Sequence, residues 1–227
     1  MNLSLDKKPL DKSFNYIISP EISDFRKFSP KLKIGVLASG KGTNFQELIN
    51  LSEIGKLDID IKVLITNKDD AGCIRRAESV KIPHKIIRGK DFSQKELFEL
   101  EIINTLNNYD VELVVMAGWM KIVTPFFINK FKNKIINIHP SLLPAYKGGS
   151  AIKDTILNGS KITGCSVHFV EEEVDSGSLI MQAALSIRDD DDTESLSKRI
   201  QMLEHKILPH SISHAGFFIR SNFMENC

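Results

Sequence analysis

The chain has little cysteine and little charge of one sign. Its 227 residues include three cysteines and one tryptophan, and 30 basic residues nearly cancel 29 acidic ones, leaving a net charge of +1. Cys73, Cys165 and Cys227 are odd in number and far apart, with no C-x-x-C pair. That argues against a disulfide framework or a thiolate zinc site and for a reducing compartment. The charge balance offers no broad basic face, and no arginine cluster is interleaved with aromatics, so nucleic acid is not an expected partner. No apolar run approaches the roughly 18 residues of a membrane span. Residues 1–30 lack a signal peptide's apolar stretch, and Asp6, Asp11, Glu21 and Asp24 make them too acidic for an organelle transit peptide. Residues 1–32 therefore read as an N-terminal extension, either disordered or lying on the surface of one α/β domain over 33–227. The expected location is cytoplasmic.

From Lys33 onward the chain alternates apolar strands with helical patterns. Strands are expected at 33–39, 59–66, 84–87 and 112–117, with helices at 45–51, 71–80 and from the capping box Ser93-Gln-Lys-Glu96. Near-continuous apolar strands separated by helices indicate a parallel sheet covered on both faces. After a helix near 125–131 come strands ending at His139, at 163–170 and at 179–187. Their short connections favour antiparallel pairing. A final helix, capped by Thr193, should bury Leu196, Ile200, Leu203 and Ile207 and bend or end at Pro209. The expected fold class is α/β: a Rossmann-like three-layer αβα domain, mostly parallel in its N-terminal half and antiparallel in its C-terminal half.

Three places carry candidate chemistry. In Lys134-Ile-Ile-Asn-Ile-His-Pro-Ser-Leu-Leu-Pro144, a buried strand delivers Asn137 and His139 to one face, and prolines then stop it. An amide beside an imidazole suits acyl transfer, one group stabilising an oxyanion and the other moving protons. Gly40-Lys-Gly-Thr-Asn44 joins the first strand to a helix, as a phosphate cradle does. It fails as a Walker A motif because Gly42 stands where Ser or Thr is needed. It fails as a dinucleotide fingerprint because Phe45 replaces the third glycine and no acid ends the second strand. A single phosphate on Gly42, Thr43 and Asn44, or a tight turn with no ligand, remains. Asp175 precedes Ser176-Gly177 in a turn that can aim a carboxylate inward, although spacing alone does not bring it to His139. A metal site from His139, His168 and Asp175 lacks helical histidine spacing and cysteine support, so no metal is expected.

Taken together, Val36-Leu-Ala-Ser-Gly-Lys-Gly-Thr-Asn44, Val115-Met-Ala-Gly-Trp-Met120, Ile136-Asn-Ile-His-Pro-Ser-Leu-Leu-Pro144, Ser166-Val-His-Phe-Val170 with Asp175, and Glu204-His205 resemble the folate-dependent phosphoribosylglycinamide formyltransferases. The resemblance runs from about Lys33 to His210. It implies formyl transfer from 10-formyltetrahydrofolate, a co-substrate, to the amine of glycinamide ribonucleotide in purine biosynthesis, by a monomer or homodimer. It implies that Asn137, His139 and Asp175 are catalytic and that Gly42, Thr43 and Asn44 hold the substrate phosphate. It further implies that Glu204 binds the ribonucleotide and that Lys95, Met120, Lys121, Ile122, Val123 and Asn137 contact folate. Lys95 stands where the family often has arginine, and Ala145-Tyr-Lys-Gly-Gly-Ser150 departs from the family's aromatic-Pro-Gly sequence. The alternatives are a formyltetrahydrofolate deformylase and a catalytically silent ligand-binding homologue.

Overall fold

A computed structural model describes residues 15–224. Eight strands form one sheet in the order β1-β8-β7-β6-β5-β2-β3-β4. Strands β2 (Leu32–Leu37), β3 (Ile59–Thr66), β4 (His84–Ile86), β5 (Leu113–Met116) and β6 (Ile135–His139) are parallel. Strands β7 (Ile162–Phe169) and β8 (Leu179–Ser186) continue the sheet antiparallel. The helices are α1 (Thr43–Glu53), α2 (Gly72–Ser79), α3 (Lys95–Asn108), α4 (Pro125–Lys130), α5 (Ala151–Leu157) and α6 (Thr193–Met224). The fold is thus the expected α/β sandwich, parallel in its first half and antiparallel in its second.

Period-two alternation divides the strands between two cores. Ile34, Val36, Leu113 and Val115 face the cluster completed by α1, α2 and α6, which contribute Phe45, Leu48, Cys73, Leu196, Ile200 and Leu203. Val63, Ile65, Val114 and Met116 face the other, with Phe98, Ile102 and Phe127 from α3 and α4. Both faces are covered, so the stretches at the centre of the sheet are apolar: Ile34–Leu37 of β2, Val63–Ile65 of β3 and Leu113–Met116 of β5. Chain order reverses between β2 and β5, and the crevice beyond their carboxyl ends is where an open α/β sheet binds ligands.

Several local expectations change. Within the expected extension, Tyr16–Ser19 forms β1 and pairs antiparallel with β8. The Arg26 N–H donates to Ser213 Oγ and the Phe28 N–H donates to Asp58, each at 2.8 Å. Phe28 is buried, and Phe25 stacks on His210 with centroids 4.2 Å apart. Residues 1–14 and Cys227 lie outside the described residues. Ser93 does not cap α3; Gln94 occupies the cap, without a side-chain bond. At α6 the capping side chain is Asp192 rather than Thr193, with Asp192 Oδ1 accepting from the Ser195 N–H at 2.7 Å and Ser195 Oγ accepting from the Asp192 N–H at 2.9 Å. Pro209 does not end α6. The buried stripe continues past it through Ile212, Ala215 and Ile219, and that packing outweighs the roughly 3 kcal/mol cost of an interior proline.

Candidate active site

A cavity of about 340 Å³ opens at the expected crevice, walled by Met116 and Gly118–Val123 after β5, by Asn137–Pro140 from β6, by His168 and by the loop around Asp175. The strand ends are locked together there. The Ser39 N–H donates to the Gly118 carbonyl at 3.0 Å, and Ser39 Oγ accepts from the Met120 N–H at 3.0 Å.

Asn137 and His139, two residues apart on β6, both reach this cavity, as alternation requires. Asp175 lies at φ 51, in the left-handed region that Asp tolerates better than most residues. Its Oδ2 is 3.4 Å from His139 Nδ1 and accepts from the Gly148 N–H at 2.8 Å. Its Oδ1 is 3.6 Å from His168 Nε2. Burial pushes the Asp175 carboxyl pKa up, but His168, the Gly148 N–H and the His139 ring together outweigh it and hold the carboxyl below its ordinary value. His139 Nε2 donates to the Tyr146 carbonyl at 2.8 Å. The His139 ring therefore has an oxygen acceptor facing each nitrogen, the Asp175 carboxylate at Nδ1 and the Tyr146 carbonyl at Nε2.

Sequence reasoning weighed His168 only as a metal ligand. It lies opposite Asn137 in the β6–β7 pairing, and its Nδ1–H donates to the Phe169 carbonyl at 2.7 Å. Its Nε2 lies 3.3 Å from Asn137 Nδ2 and 3.6 Å from Asp175 Oδ1, so the ring sits between the amide and the carboxylate and holds the amide in place. Among the described residues, no cluster of three His, Cys, Asp or Glu side chains could hold a metal ion. The Tyr146 carbonyl and the Gly148 N–H were also missed, because backbone groups leave no mark in a sequence.

Asn44 and Glu204 also line the cavity, and Asn44 Nδ2 donates to Glu204 Oε2 at 2.8 Å, tying the glycine turn to α6. Burial raises the Glu204 carboxyl pKa, and the Asn44 bond offsets only part of that. Gly42 (φ 71) is the N-terminal cap residue of α1, with no side chain capping it, and Thr43 is the first helical residue. Gly42 and Thr43 sit beside the cavity rather than in its wall, whereas Asn44 lines it. Met120, Lys121, Ile122 and Val123 all line it, with Met120 and Ile122 largely exposed. Lys95, exposed at the start of α3, does not.

An αβα sheet with this constellation at its switch point defines a class, and a family model described as formyl transferase matches residues 32–212. The chain belongs to the formyl transferase family. It is 41% identical over 196 residues to the trifunctional purine biosynthetic protein adenosine-3 of Chironomus tentans, covering 85% of this chain and 14% of that protein. The Gallus gallus protein of the same name is 39% identical over 182 residues, covering 80% and 18%. The chain thus spans under a fifth of the length of these curated relatives. Among solved structures, phosphoribosylglycinamide formyltransferase from Bacillus halodurans matches with a TM-score of 0.78 and 36% identity, over 80% of this chain and 94% of that one. Glycinamide ribonucleotide transformylase 1 from Symbiobacterium toebii matches with a TM-score of 0.81 and 34% identity, over 89% and 93%. Among the described residues, no helix is long and apolar enough to cross a membrane.

Proposed function

We propose that this chain is a phosphoribosylglycinamide formyltransferase. It transfers the formyl group of 10-formyltetrahydrofolate to the amine of glycinamide ribonucleotide, without a metal and without a covalent enzyme intermediate. The observation that carries the reading is that one cavity is lined both by Asn137, His139 and Asp175 and by the Asn44–Glu204 pair. It offers a polar reaction centre and, beside it, a glycine turn suited to phosphate.

In this reading the turn of Gly42, Thr43 and Asn44 holds the ribose phosphate, and Glu204 holds the ribonucleotide body. Met120, Lys121, Ile122 and Val123 wall the folate site. The amine nitrogen attacks the formyl carbon, and the carbonyl electron pair moves onto oxygen. Asn137, its amide held beside the His168 ring, aims an N–H at that oxyanion. The tetrahedral species collapses by breaking the bond to the folate nitrogen. The His139 imidazolium, balanced by Asp175, supplies the proton that nitrogen needs, and the proton lost by the attacking amine restores the balance. The names and structural similarity of the relatives support the choice of substrates. The reading places the enzyme in the cytoplasm, as a monomer or homodimer.

The test mixes protein with 10-formyltetrahydrofolate, with and without glycinamide ribonucleotide, and follows folate absorbance. Loss of formyl-folate only with the ribonucleotide is the expected result. Loss without it would replace the transferase by a deformylase, and no loss in either case by a binding module.

A further inference from the structure

Arg76 has no part in the reaction just described, yet two of its nitrogens are committed to the glycine turn and the helix that follows. Its Nε–H donates to the Lys41 carbonyl and its Nη1–H to Gln46 Oε1, both at 2.8 Å. Gln46 is itself in the first turn of α1, its N–H donating to the Gly42 carbonyl at 2.9 Å. The guanidinium therefore bridges the turn and the helix it opens.

The Lys41 bond has a directional consequence. A trans peptide is planar, with its carbonyl and the following N–H pointing in opposite directions. Holding the Lys41 carbonyl against α2 therefore turns the Gly42 N–H away from α2. The rest of the α2 N-terminus fits the same task. The Cys73 N–H donates to the Gly40 carbonyl at 3.1 Å. A Cβ at Gly42 would lie 2.6 Å from Cys73 Cβ, and one at Gly72 would lie 3.2 Å from Lys41 Cα. Gly40, Lys41 and Gly42 are thus pressed onto a template. On the ligand side, α1 has no acidic residue in its first turn and no side-chain cap, which leaves its amino end open to an anion. Asn44, only 7% exposed and in the cavity wall, keeps a buried Oδ1 with no hydrogen-bond partner.

We propose that Arg76 is a positioning residue for the phosphate cradle: it touches no substrate, but it sets the Lys41–Gly42 peptide so that the turn's N–H groups converge on the phosphate of the acceptor. This rests on the function proposed above and extends it to a residue outside the cavity. Lysine at this position could reach one acceptor but could not bridge two, because it lacks the planar fork.

The experiment measures kcat and KM for glycinamide ribonucleotide in the wild type, Arg76→Gln and Arg76→Lys, with melting temperatures as a check on folding. Each protein is also assayed with the dephosphorylated acceptor, glycinamide ribonucleoside. Arg76→Gln should raise the ribonucleotide KM about tenfold or more, the scale of one charge-assisted hydrogen bond. Its kcat should stay within about twofold, as expected when only uniform binding is lost. Arg76→Lys should recover part of the affinity, and the ribonucleoside should be used equally by all three proteins. An unchanged ribonucleotide KM, or an equal penalty on the phosphate-free acceptor, would overturn the positioning role while leaving the transferase reading intact. A wild type with no ribonucleotide-dependent turnover would overturn both.

Discussion

Asp175→Asn isolates the charge behind His139 while changing little else. Asparagine keeps an oxygen that can accept the Gly148 N–H, so the loop can remain docked. What disappears is the negative charge 3.4 Å from His139 Nδ1. At that separation and an effective dielectric of about 20, unit charges attract by about 5 kcal/mol. Desolvation takes back part of that, since both side chains are largely buried. At 1.36 kcal/mol per decade the full attraction would be worth between about three and four decades of rate. General acid catalysis as a whole contributes about 10²–10⁴-fold, so we expect kcat to fall by about 10²–10³ at saturating substrates. The acidic side of the pH–rate profile should also change, because the Asp175 carboxyl, held below its ordinary value in the folded protein, no longer titrates. The assay is formyl transfer followed by folate absorbance, paired with a thermal melt. A variant that melts like the wild type, turns over within about threefold of it and keeps the wild-type pH profile would refute the proposed support of His139 by Asp175.

Three further predictions address separate parts of the molecule. Asn137→Ala removes the oxyanion donor, so kcat should fall by about 10²–10³-fold with little change in either KM; weakened binding at unchanged kcat would assign the amide to substrate holding instead. Glu204→Gln should raise the melting temperature of the ligand-free protein near neutral pH while weakening ribonucleotide binding. Burial raises this carboxyl in the folded state above its ordinary value near 4.5, so the folded form loses stability as pH rises through that window, and the gain from glutamine should vanish below it; melting curves that coincide near neutral pH would contradict this. Phe28→Ala should cost about 3 kcal/mol and lower Tm by about 10 °C. Phe28 packs beside Leu32, at the end of β2 away from the cavity, so kcat should be unaffected; an unchanged Tm would mean that residues 15–31 contribute nothing to the domain.

What could be read from the sequence is what covalent periodicity dictates. Asn137 and His139 share a face because strands alternate, and the apolar strand runs announce a sheet covered on both sides. What could not be read depends on register or on backbone groups. Asn137 meets His168 only because β6 and β7 pair antiparallel in one register. Four unremarkable residues, Tyr16–Ser19, form a strand only because the edge of β8 is available to pair with them. Pro209 was read for its local cost, and the buried stripe on both sides of it proved the larger effect. The loop at 145–150 shows the limit most clearly. Its side chains depart from the family's pattern, yet its backbone does the work at the site: the Tyr146 carbonyl at φ 54 accepts from His139, and the Gly148 N–H at φ 88 holds Asp175. A site can therefore keep its side-chain trio while the loop that orients it drifts in sequence, provided the backbone path survives. Selection on that loop should then fall on positions whose dihedrals are demanding, such as Gly148, and spare exposed side chains such as Lys147.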